Sequence, residues 1–384
     1  MTPPRIFLDH AAGSPTPPEI VELMSDLQRA GIGNPNGGHT EARRARAILD
    51  DARASLAEDF GVEPRQITFT ATASEALALG LNSAVSPNGS LVTTAGEHRG
   101  SRALAAQHAA SGGSVELLDL DRQGVMQVAS LRADLSGAVG LVALASGEVG
   151  TIQPWTTFAT AWRSSGGSAL VVDAVQAAYH RPLDVRTIGA SHVAVGSAKV
   201  GGPFGIAALI SAPETKVRPL VVGGGQERGR RGGTEAVVLA AGFAAAYRAH
   251  RLRAEQTRQH LIALTNVFDD ALGSLTSLGL VPTGAPFTSE TRLAGHRSYA
   301  VDWALGDDLV AALDHAGIAV STGSACISGS REPSEALRAM GHTAGESRGG
   351  LRLTFGRTST IEEARHAASI MRVVLERVRT AVPA

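Results

Sequence analysis

The sequence predicts an α/β protein built on a mostly parallel β-sheet, with a smaller α+β domain beside it. Three observations carry this. Seven short apolar runs lie between residues 67 and 210, helix-like segments separate most of them, and past residue 211 the alternation gives way to long helices mixed with short strands. Near-continuous apolar strands separated by helices indicate a sheet covered on both faces.

In chain order the runs are ITFT (67–70), SLVTTA (90–95), SVELLDL (114–120), VGLVALA (139–145), ALVVDA (169–174), HVAVGS (192–197) and GIAALI (205–210). SEALALGLNSAV after the first and SRALAAQHAA after the second have helical character. Ligands of such sheets collect at the carboxyl ends of the strands. Here those ends carry TATASE, GEHRGS, SGEVG, DAVQ and GSAKVGG. GGGQERGRRGG (223–233) reads as an irregular loop, because glycine disfavours helix and strand interiors. One long helical stretch is expected from Thr234 toward Leu275, and IEEARHAASIMRVVLERVRTAV is strongly helical. The expected division is a large domain over 13–244 and a small one from 1–12 and 245–384.

Composition excludes several classes. Of 384 residues 43% are hydrophobic and 18% charged, as in folded proteins and unlike disordered ones. The net charge is −1 and no Lys/Arg run stands out, so a nucleic-acid surface is not expected. No apolar stretch approaches the roughly 18 residues of a membrane span, and the amino terminus lacks the pattern of a secretory signal. A cytoplasmic protein is expected. Cys326 is the one cysteine, which excludes an intrachain disulfide and a cysteine-rich metal site.

Lysine occurs only at Lys199 and Lys216, leaving 33 of the 35 basic residues as arginine. Arginine supplies charge but cannot deprotonate to a nucleophilic amine. Lys199, in the glycine-rich VAVGSAKVGGPFG, is therefore a candidate for amine chemistry, whereas Lys216 follows a polar loop and reads as a surface charge. No Walker A loop, HExxH or GxGxxG occurs. The GxSxG match at 345–349 precedes a strand, whereas a nucleophile elbow must follow one, so it is coincidental.

Asp173 ends an apolar strand, where a bare carboxylate needs a partner. It can cap a helix or pair with a protonated pyridinium nitrogen. Lys199 lies one helix-and-strand unit later, so the two strand ends can be neighbours. An Asp and a Lys so placed suit pyridoxal phosphate, the lysine holding the aldehyde as a Schiff base. TATASEALALGL places hydroxyls where a strand becomes a helix, which suits a phosphate and equally an ordinary cap by Thr72 or Ser74. His98, alone, reads as a hydrogen-bonded structural residue. Cys326, among serines, glycines and a charged pair, is expected in an exposed loop (about 321–333) where a thiolate can act.

Together these segments resemble the cysteine desulfurases of the NifS/IscS type, within the class V aminotransferase fold of pyridoxal-phosphate enzymes. The resemblance runs nearly end to end. It is carried by FLDHAAGSP, GNPNGGHTEARRAR, ITFTATASEAL, GEHRGS, SGEVGTIQP, VVDAVQAA, GSAKVGGPFG, GGGQERGRRGGTE and STGSACISGSREPSEALRAMG. It implies that Lys199 binds the cofactor and moves the Cα proton, that His98 stacks on the ring, that Asp173 pairs with N1 and that Gln176 bonds the ring hydroxyl. Ala73, Ser74 and Ser197 would hold the phosphate, with Thr234 reaching in from the other subunit of a homodimer. Arg352 would bind the substrate carboxylate. Cys326 would attack the sulfur of L-cysteine, giving alanine and a persulfide destined for a sulfur-acceptor protein. No metal is implied.

Two segments depart from the family pattern. Ala198 stands where the family has a histidine before the lysine, and Ser146-Gly147 where it has paired asparagines. A selenocysteine or other C–S lyase of the same fold would not need Cys326. A non-catalytic paralogue serving as a scaffold would be free to lose Lys199 or Cys326, and both are present.

Overall fold

The computed structural model describes residues 5–323 and 332–381. Its strands are, in chain order, β1 (Ile6–Phe7), β2 (Ile67–Thr70), β3 (Ser90–Thr94), β4 (Ser114–Leu118), β5 (Val139–Ala143), β6 (Ala169–Asp173), β7 (His192–Gly196), β8 (Ala207–Ser211), β9 (Val281–Pro282), β10 (His296–Ala300), β11 (Ile318–Ala319) and β12 (Leu351–Thr354). β2 to β8 form one sheet in the order β2-β8-β7-β6-β5-β3-β4. β8 is antiparallel to both neighbours and the other pairs are parallel. All seven expected runs are strands of this sheet, and it is mostly parallel as expected.

The apolar runs are continuous because successive side chains enter opposite cores. Leu141, Val171, Ala194 and Leu209 pack with Leu77 and Leu79 of the helix Ala73–Ala84. Their neighbours Val142, Val172, Val193 and Ile210 join Leu49, Leu56, Phe158 and Trp162 on the other face. Gly80 brings the first helix close, since a Cβ there would lie 3.1 Å from Val171 and 3.2 Å from His192.

A second core gathers Ile6 and Leu8 with the helices Ala254–Leu272, Gly306–His315 and Ile361–Ala381. β1 pairs with β11, and β9, β10 and β12 form an antiparallel sheet beside them. The amino-terminal residues thus pack with the carboxyl-terminal part.

The helical stretch expected as one piece is broken at Arg253. Ahead of the break, Phe243, Ala244 and Tyr247 of the helix Val237–Leu252 belong to the large core, with Tyr247 against Phe60 at 4.2 Å between ring centroids. After it, Leu261, Leu264 and Phe268 belong to the second core. The expected boundary at 244/245 falls inside the first of these helices, whose apolar face continues on the larger core. No helix among the described residues is long and apolar enough to cross a membrane.

Candidate active site

Asp173 closes β6, in register with Ala143 of β5 and Ala194 of β7. Its Oδ1 accepts the Val175 N–H at 2.9 Å, but the cap position of the following helix is Ala174, so Asp173 is not the N-cap that the sequence also allowed. Burial raises its pKa, opposed by that N–H and by His98 and Lys199 nearby. Lys199 lies in the short turn Ala198–Val200 directly after β7, and the chain leaves that turn through Gly201 at φ +79°. Lys199 Nζ donates to the Ala12 carbonyl at 2.6 Å. The two residues therefore stand at neighbouring strand ends.

His98 caps the helix Arg99–Ala110 by accepting the Gly100 N–H on Nδ1 at 3.1 Å, which leaves Nε2 as the protonated nitrogen of the neutral ring. Burial holds its pKa below the ordinary value, with Lys199 acting in the same direction and Asp173 against it. A side chain at Gly100 would come within 3.2 Å of both His98 Nδ1 and Ser74 Oγ, so the two helix starts converge here. Ala73 and Ser74 open the helix after β2, where backbone N–H groups have no intrahelical acceptor. Thr72 is the cap, accepting from the Glu75 N–H at 3.1 Å. Ala73 also lies beside Gly196 at the end of β7. Ser197, the next residue, is fully buried, and its Oγ has no hydrogen-bond partner. Such an orphan hydroxyl costs about 1–3 kcal/mol unless a ligand satisfies it.

The segment FLDHAAG closes the site. Besides Ala12, its Ala11 carbonyl accepts from Gln176 Nε2 at 3.0 Å, and Asp9 Oδ1 accepts from Arg352 Nη2 at 2.8 Å. Arg352, buried in β12, also donates from Nη1 to the Gly147 carbonyl at 3.0 Å, while its Nε is buried without a partner. Gly147 faces Gln176, since a Cβ there would lie 3.0 Å from Nε2. Ser146 Oγ instead accepts the N–H groups of Glu148 and Val149, shaping the turn. Sequence reasoning did not reach Asp9, whose role depends on a contact 343 residues away. The motif FLDHAAG was its only signal.

Cys326 lies outside the described residues, but both flanks of its loop are placed. Ser321 bridges directly to Arg352, with backbone bonds of 2.7 and 3.1 Å. On the return side, Ser334 donates to Glu148 and caps the helix Glu335–Ala339. A cavity of about 300 Å³ opens between these flanks and the helix carrying Arg99 and Arg102.

Thr234 is not brought to this cluster within the chain. It is exposed at the end of the glycine- and arginine-rich loop and makes no side-chain hydrogen bond to the described residues. The loop itself is pinned. Glu227 accepts from Arg53 Nη1 and Nη2 at 2.8 and 2.7 Å and from the Phe69 N–H at 2.9 Å, and Arg231 pairs with Glu75 at 2.8 Å. No group of three or more His, Cys, Asp or Glu among the described residues is placed to hold a metal ion.

The chain belongs to the Aminotransferase class-V family, which it matches over residues 6–366. It is 34% identical to a cysteine desulfurase of Frankia sp. (strain EuIK1), over 98% of this chain and 92% of that protein. It is also 34% identical to an IscS-like cysteine desulfurase of Mycobacterium tuberculosis, over 98% and 97%. Among solved structures it is similar to a NifS-like protein, with a TM-score of 0.87 at 25% identity over 97% of this chain and 100% of that one. It shares the fold of an apo cysteine desulfurase from Thermococcus onnurineus NA1, at TM-score 0.83 and 24% identity over 97% and 95%.

Proposed function

We propose that this chain is a pyridoxal-phosphate-dependent L-cysteine desulfurase. It would convert L-cysteine and the Cys326 thiol into L-alanine and a Cys326 persulfide, whose outer sulfur passes to an acceptor protein. The observation that carries this reading is the pairing of two features: Asp173 and Lys199 stand at adjacent strand ends with His98 near enough to act on both electrostatically, and Arg352 shares a bridge with the residue from which the cysteine loop departs.

The residues fit the cofactor. Ser197 Oγ is an orphaned buried hydroxyl, and the N–H groups of Ala73 and Ser74 open a helix beside it, a donor set suited to phosphate. Pyridoxal phosphate, when bound, supplies an electron sink that weakens the Cα–H bond. Asp173 would keep a proton on the ring nitrogen, His98 would cover the ring face, and Gln176 would donate toward the ring hydroxyl. Lys199 Nζ would hold the cofactor and carry the Cα proton. Arg352, oriented by Asp9 and the Gly147 carbonyl and with Nε unpartnered, would receive the substrate carboxylate. Phe204 (67% exposed) and Val222 (83% exposed), in the loops on either side of β8, support a homodimer in which Thr234 of a second copy completes the phosphate site.

The test is Cys326→Ser, which keeps a similar shape but cannot carry a persulfide. L-cysteine should still perturb the visible spectrum of the cofactor-loaded variant, while alanine release falls by about 100-fold or more. On the wild type, alkylation and mass spectrometry should find the extra sulfur on the single cysteine. Alanine formed at the wild-type rate by the variant would overturn the desulfurase reading in favour of a lyase.

A further inference from the structure

Behind Asp173 lies a second carboxyl group that the proposed reaction does not use. Glu97 precedes His98 in the turn after β3 and is 6% exposed. Its Oε1 accepts from Thr94 Oγ1 at 3.0 Å, and its Oε2 is buried with no hydrogen-bond partner. It takes part in no ion pair among the described residues, because Arg102, the nearby cation, is paired with Glu335 of another helix. Glu97 lines a cavity of about 10 Å³ with Ala143, the register partner of Asp173, and with Ser146 and Gln153. The other walls, including Leu120, Gly124 and Met340, bring no charge.

A buried carboxylate with one oxygen lacking a close donor, and with its nearest cation paired elsewhere, is strongly disfavoured. Asp173, at the end of β6 one strand beyond β5, makes it worse, since two carboxylates near each other raise one another's proton affinity. We infer that Glu97 is a positioning residue held as a neutral acid, which leaves Asp173 as the sole anion available to the cofactor's ring nitrogen. The inference rests on the reading above, in which Asp173 faces that nitrogen.

The electrostatics agree. Burial, and then Asp173, push the Glu97 pKa up to about 8, while the Ala143 N–H, the Thr94 hydroxyl and Arg102 pull it down. Glu97 is thus neutral at pH 7 and ionises just above it. Its ionisation places a second negative charge beside Asp173, raising the proton affinity of Asp173 and of His98 together. A cofactor held by that pair would report the event as a change in its visible spectrum.

The test begins with the apoprotein, by infrared difference spectroscopy of wild type against Glu97→Gln. At pH 7 the wild type should show a protonated-carboxyl C=O band that the variant lacks, and the band should vanish with a midpoint near pH 8. Thr94→Val removes a hydroxyl that favours the charged form, so it should move that midpoint upward. With pyridoxal phosphate added, the wild-type visible spectrum should show a step at the same midpoint and Glu97→Gln should lack it. Absence of the band at pH 7 would overturn the inference, as would a spectral step that survives in Glu97→Gln. A wild type that takes up no pyridoxal phosphate would instead overturn the functional reading, and the infrared band would still decide the state of Glu97.

Discussion

Two buried glutamates differ in the company they keep. Glu227, 4% exposed, receives three donors, two of them from the Arg53 guanidinium, which also lies 4.7 Å above the Phe69 ring. Glu97, nearly as buried, has a close side-chain donor only in the Thr94 hydroxyl, and its Oε2 is left without a close partner. The first arrangement neutralises a charge in place and holds Glu227 and Arg228 at φ +47° and +58°, conformations that ordinary side chains avoid. The second would leave a charge unneutralised, which favours the neutral acid. Saturation of donors marks a structural pin, and shortage of donors marks a group whose protonation can change. Arg352 stands between the two, with two bonds made and one nitrogen left over.

The largest effect should come from the unsaturated side. Lys199→Ala should remove the visible absorbance of the loaded protein and lower turnover by at least about 10³-fold, whereas Lys216→Ala should leave both unchanged. Equal losses from the two would break the assignment. On the saturated side, Arg53→Ala strands a buried carboxylate and should cost about 3–5 kcal/mol of stability, read as a lowered denaturant midpoint. A cost below about 1 kcal/mol would mean that Glu227 is not pinned by charge, and the contrast would fail. The smallest effect should be that of Asp9→Asn, which keeps the shape beside Arg352 and removes the charge. KM for L-cysteine should rise roughly fivefold, about 1 kcal/mol, with kcat nearly constant. An unchanged KM would show that the Gly147 carbonyl alone orients the guanidinium.

The sheet was legible in the sequence because each strand is buried on both faces, and such strands read as unbroken apolar runs. Adjacency of Asp173 and Lys199 followed from strand order alone, since one helix-and-strand unit separates them. The placement of Arg352 came from resemblance, because an arginine in LRLTF looks like any strand residue until Asp9 and Gly147 surround it. Asp9, Glu97 and Glu227 were not legible as partners. Their roles are fixed by contacts between segments far apart in the chain, and no local pattern distinguishes a glutamate with three donors from one with a single donor. The break at Arg253 escaped notice for a related reason. Helical character continues through it, and only the change of core shows that the chain has turned.

The bridge between Ser321 and Arg352 also sets a tether. Cys326 follows Ser321 by five residues, and an extended chain advances at most about 3.6 Å per residue, so its Cα can reach no more than about 18 Å from that rung. In the proposed reaction, an acceptor of the Cys326 sulfur would have to bring its accepting group within about that reach of the rung at Arg352. Lengthening the stretch between Ser321 and Cys326 would widen that reach without touching the residues at the strand ends.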